Sequence, residues 1–136
     1  EPLSGYLWLV PKLLQQYDLL NGEAFNFGPD ANVNQTVAEL LDAMANRWSG
    51  AQWQSAQAYK NVSGNEALLL KLSCDKALFH LNWQAVMEFS ETVSFTVDWY
   101  HSWHERQQDM YIYSIGQIEQ YCQLAKVRRV SWCSSE

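Results

Sequence analysis

Apolar residues recur along this chain at steps of three and four, and that spacing limits what it can fold into more than any other feature. Leu3, Leu7, Val10, Leu14 and Tyr17 hold to it from the first residues, which places all five on one face of a helix. Pro11 falls inside that run, where its missing N–H and its ring predict a kink or a later helix start. Asn21-Gly22 is a stop signal. A second periodic stretch, Val37, Leu40, Leu41, Met44 and Trp48, opens at Thr36, which forms a capping box with Glu39, and closes at Ser49-Gly50. "CDKALFHL" is a short helix with Ser73 as N-cap, Asp75 near its positive end and Asn82 in the left-handed position that finishes it. Phe89, Val93, Thr96, Tyr100 and Trp103 define a long amphipathic helix. Ile115, Ile118, Tyr121, Cys122 and Ala125 are the inward residues of a last one.

A period of two is rarer. "EAFNFGPD" alternates Phe25 and Phe27 on one side before Gly28-Pro29 ends it, which predicts a short strand over residues 24–27. "ALLLKL", residues 67–72, is a candidate buried strand, and a third short one is expected around Trp53. The expectation is therefore about five helices with two or three short strands. "VRRVSWCSSE" has no clear period and is read as a tail.

The 136 residues suffice for one domain with a real core and are too few for two. Seven Trp on so short a chain point to a large buried surface, or to one that expects a neighbour. A net charge of −6 argues against a nucleic-acid backbone or an anionic membrane as partner, and no apolar run reaches the roughly 18 residues of a membrane span. Cys74, Cys122 and Cys133 form an odd set without CxxC spacing, which reads as reduced thiols in a cytoplasmic protein. The chain opens without Met and directly in a periodic segment, so it is expected to be part of something longer.

Little in it reads as chemistry. His101 and His104 share a helix face at a spacing that can bind a metal, but the pattern is not HExxH and no third ligand is near; a solvated face is the better reading. There is no GxSxG elbow, Walker loop or GxGxxG. Glu39 and Asp42 fall on a polar helix face. Glu66 is different: it follows Ser63-Gly64 and precedes the apolar run, at a loop-to-strand junction where ligand contacts are common. A carboxylate there suits both hydroxyls of a ribose, and it equally suits a surface Glu after a turn.

"EPLSGYLWL", "GEAFNFGPD", "NEALLLKLSCDKALFHLNW" and "ETVSFTVDWY", with "DMYIYSIGQIEQYCQLAK" further on, together resemble the C-terminal portion of the CDP-glucose 4,6-dehydratase family, which are extended short-chain dehydrogenase/reductases. The resemblance covers residues 1–126 as a substrate-binding portion and leaves 127–136 as a divergent tail. It implies an α/β protein whose Rossmann core, NAD site and catalytic groups lie in a missing N-terminal domain. Residues 24–27 would then return a strand to that sheet. It also implies CDP-glucose as substrate, a homo-oligomeric full-length enzyme, and no nucleic-acid or membrane partner. No catalytic or metal-binding residue is expected here. In related enzymes a carboxylate ten residues ahead of the "KA" helix Lys holds the nucleotide ribose, and Glu66 stands ten ahead of Lys76. Asn65 takes the place usually held by His, and Ser63 stands where an Arg often meets the diphosphate, so that second role does not carry over. The rival reading is a non-catalytic interaction module derived from such an enzyme.

Overall fold

A computed structural model of the chain describes residues 1–30, 33–54, 72–105 and 108–133. Among them the regular structure is helical: α1 (Pro2–Gln15), α2 (Tyr17–Leu20), α3 (Val37–Arg47), α4 (Asp75–Leu81), α5 (Phe89–His104) and α6 (Met110–Val127), followed by a 3₁₀ turn at Ser131–Cys133. The single-turn α2 adds to the five helices expected. The strands are a correction, because no strand forms among the described residues. Residues 24–27 keep the alternation in burial, with Ala24 and Asn26 exposed, Phe25 half-buried and Phe27 buried. Their tie to the chain beside them is a side-chain bond, Asn26 Nδ2 to the Ser73 carbonyl at 3.2 Å, and a strand needs a backbone ladder. Residues 51–54 form none either; the Trp53 indole donates to Asp42 instead. The "ALLLKL" segment lies outside the described residues except for Leu72.

α1 begins at Pro2 and continues through Pro11, so the proline neither delays nor ends it. The carbonyl that Pro11 leaves without a helical donor belongs to Leu7, on the exposed side of the helix. The break comes at Gln16, whose φ of −135° is not helical. The inward side of α1 carries Gly5, Trp8, Leu9 and Leu13. The regular row Leu3, Leu7, Val10 and Leu14 faces outward, each residue at least 57% exposed.

The core is built around Trp83, just beyond α4. Leu20, Phe27, Ala77 and Leu81 are buried with it, and Trp8, Leu9, Leu13 and Phe25 pack on them. Removing an indole of that size from water is worth on the order of 4–6 kcal/mol before the entropy of ordering is charged. Ala77 and Leu81 are four apart in α4 and share its inner face, whereas Phe79 between them is outside. The N-cap of α4 is Cys74, not Ser73, and Cys74 makes no side-chain capping bond. Asn82 ends the helix at φ 52°, ψ 36°, the left-handed position its short amide side chain tolerates.

A second cluster, Val86, Ala125 and Val130, joins α6 to the stretch before α5, and Trp132 packs on both clusters. Residues 127–133, read as a tail, therefore fold back into the core, with Val130 buried and Trp132 stacked on Tyr121 at 5.9 Å. On α5 the inward residues are Val93, Val97 and Ser102, while Tyr100 and Trp103 are more than half exposed. The expected row is thus rotated by about one position. α6 buries Ala125 and half-buries Tyr121 and Cys122, but leaves Ile115 and Ile118 exposed. The capping box of α3 is present, Thr36 and Glu39 bonding reciprocally. This helix buries no residue and is held to α5 by the forked Arg47–Asp98 pair and by Trp48 against His101 and His104.

Two glycines test the packing. A Cβ at Gly5 would stand 2.1 Å from Phe27 Cδ1, so Gly5→Ala forces the ring out of the core. The expected loss is about 1–3 kcal/mol of unfolding free energy by urea titration. A Cβ at Gly116, inside α6, meets nothing within 4 Å, and Gly116→Ala should gain about 0.5–1 kcal/mol.

Candidate functional site

Glu66, set against a ribose by the resemblance, and Asn65 beside it lie outside the described residues, as does Ser63. Lys76, ten positions after Glu66, is on the first turn of α4 and directs its ammonium to Glu23 at 2.5 Å, over the ring of Phe25. The paired ammonium holds the Glu23 carboxyl below its usual range, first through the hydrogen bond and then through charge. His80, four residues on, is half-buried against the rings of Phe25 and Phe79. This side of α4 is therefore occupied by its own chain.

Its other side faces a cleft. One wall is the turn Gly28-Pro29-Asp30, and the opposite wall is the non-helical stretch from Trp83 to Glu88. The cleft has two adjoining parts that share Asp30 and Ala85: one of about 240 Å³ beside Cys74 and Asp75, the other of about 400 Å³ running to Arg128. Gly28 brings the first wall close, since a Cβ there would already touch Leu72 and the Cys74 sulfur at 3.6 Å. Arg128 closes the far end, forked onto Glu91 at 2.7 and 2.8 Å and donating to the Val86 carbonyl. That fork holds Glu91 below the usual carboxylate range and raises Arg128. The cleft thus offers acidic groups, backbone and one committed guanidinium.

Burial pushes the Cys74 thiol above its ordinary range; a hydrogen bond with the Gly28 backbone opposes this, and the Asp75 carboxylate adds to it. A raised pKa leaves less thiolate and so weakens the thiol as a nucleophile. All three cysteines are free. His101 and His104 pack on Trp48 at 5.2 and 5.6 Å, and no cluster that would hold a metal occurs among the described residues. Nor is any described helix long and apolar enough to cross a membrane. Sequence reasoning missed Asp30 and Arg128 as cleft residues. Asp30 follows the Gly28-Pro29 turn and Arg128 falls in the aperiodic C-terminal residues, and no motif marks either.

The chain is 33% identical over 126 residues to CDP-glucose 4,6-dehydratase of Salmonella typhimurium, a match covering 89% of this chain. It spans only a third of that relative's length. No family model matches the chain. No solved structure matches it.

The reactivity of Cys74 follows from its surroundings. With its pKa raised it holds less thiolate at pH 8 than an open thiol, so it should alkylate with iodoacetamide several-fold more slowly than glutathione. In 6 M urea, roughly the range in which small domains unfold, the difference should vanish. Mass mapping of the alkylated peptide checks this.

Proposed function

We propose that these residues are the substrate-binding, C-terminal part of an enzyme acting on CDP-glucose as a 4,6-dehydratase. The observation that carries the reading is the match to the Salmonella enzyme across nearly the whole of this chain, taken with the Glu66–Lys76 spacing. Such an enzyme oxidises C4 of the sugar, eliminates water across C5 and C6 and returns the hydride to C6, giving CDP-4-keto-6-deoxyglucose. NAD carries that hydride. These residues do not fit NAD: no glycine-rich turn links a strand to a helix in the sequence, and the described residues form no strand to precede one. The cofactor and the catalytic groups are therefore assigned to another part of a longer, cytoplasmic, homo-oligomeric protein. This part contributes recognition of the nucleotide, with Glu66 on the ribose hydroxyls and Asn65 beside it.

The outward row of α1 favours a second reading, an interaction module that has kept the helices and lost the chemistry. Leu3, Leu7, Val10 and Leu14 form an apolar strip with no cover among the described residues.

Glu66→Gln separates the two. Gln keeps the size and hydrogen-bonding shape but loses the charge, and bonds to charged groups contribute roughly 1.5 to 3 kcal/mol net. In the longer enzyme, steady-state kinetics should show the KM for CDP-glucose rising about tenfold or more with kcat nearly intact. An unchanged KM makes Glu66 a surface residue and leaves the interaction module standing.

A further inference from the structure

The stretch that forms the second cleft wall is not helical, and several backbone groups along it and just before it are bonded by side chains from four other elements. The Trp8 indole donates to the Leu81 carbonyl at 2.8 Å, Ser131 to Asn82 at 2.5 Å, and the Trp132 indole to Gln84 at 3.1 Å. Arg128 donates to the Val86 carbonyl, and Glu91 accepts the Glu88 N–H at 2.8 Å. The two N–H groups at the middle of the wall go to one carboxylate. Val86 N–H donates to Glu1 Oε2 at 2.9 Å and Met87 N–H to Glu1 Oε1 at 2.7 Å.

That carboxylate is itself held. Tyr121 donates toward Glu1 Oε2 at 3.2 Å and lies 3.0 Å from Ser4 Oγ. Ser4 donates to the Glu1 carbonyl at 2.8 Å and accepts the Trp83 indole N–H at 3.1 Å. Burial raises the pKa of the Tyr121 hydroxyl, which keeps it a donor. Glu1 and the first turns of α1 thus reach across to the wall and to the end of α4: Glu1 at Val86 and Met87, Ser4 at Trp83, and Trp8 at Leu81. Gly5 between them permits the approach, since any side chain there would meet Phe27.

We infer that Glu1 and Ser4 are positioning residues: through paired bonds to the backbone of Val86 and Met87 and to the indole of Trp83, they set the wall of the cleft opposite Asp30. The inference rests on the proposed function and adds to it that this cleft faces the sugar nucleotide. It explains why the opening "EPLSGYLW" has acidic, hydroxyl, glycine and indole residues at those positions, none of which an ordinary amphipathic helix requires. A two-oxygen acceptor is needed because the two N–H groups are successive in a non-helical stretch and each takes its own oxygen.

Amide hydrogen exchange of the whole chain, followed residue by residue by NMR without ligand, tests it. Glu1→Ala should speed exchange at both Val86 and Met87 at least about tenfold while Val93 and Val97 in α5 keep their rates. Glu1→Gln retains the reach and one acceptor oxygen, so it should restore protection at one of the two amides. Tyr121→Phe, which removes only the hydroxyl that steadies the carboxylate, should speed the same two amides by a smaller factor and serves if Glu1→Ala does not fold. Unchanged exchange at Val86 and Met87, or an equal acceleration at Val93 and Val97, overturns the assignment. Because no ligand is present, failure of the nucleotide-sugar reading would leave the exchange result standing, and the converse holds equally.

Discussion

The ring of Phe27 rests on the bare backbone of Gly5 and meets the indole of Trp83 edge-on at 5.0 Å. Three pieces of chain far apart in sequence converge there: the first turn of α1, the stretch after α2, and the residue beyond α4. The ring contact holds these pieces in register together with the bonds from Glu1, Ser4 and Trp8 to residues 81–87. The contact requires that α1 carry no side chain at position 5. Trp83 then anchors its own indole N–H on Ser4, so the largest buried side chain is also hydrogen-bonded.

This arrangement gives α1 two distinct surfaces. Its inner one is partly polar and reaches the cleft wall through side chains. Its outer one is apolar, regular and uncovered, with Leu7 at 74% and Leu14 at 84% exposure. A helix with its spaced leucines turned to water and its irregular side turned to the core reverses the usual amphipathic logic.

Local signals were the most legible part of the fold. The Thr36–Glu39 capping box, the left-handed Asn82 and the helical periods are decided by neighbours within one turn, and the sequence carries them. What did not carry over depends on partners distant in the chain. Phe25 and Phe27 alternate as a strand does, but alternation fixes only which residues are buried; a strand also needs a ladder, and none pairs there among the described residues. Val130 and Trp132 lacked any period because they pack as single residues onto α6 and the wall before α5. On α5, Val97 was passed over for Thr96 because both fit the spacing within the width of an apolar face. The candidate site was less legible still: Glu66 was found by spacing and falls outside the described residues, whereas Asp30 and Arg128 enter the cleft through tertiary contacts alone.

The proposed function has this chain recognise the nucleotide sugar and leave the cofactor to other residues. Its most direct test is a pair of NMR titrations of the same labelled chain, one with CDP-glucose and one with NAD. The account predicts saturable amide shifts with CDP-glucose, concentrated around residues 63–76 and the Trp83–Glu88 wall, and none with NAD. Shifts with NAD, or no response to CDP-glucose at millimolar concentration, would contradict it.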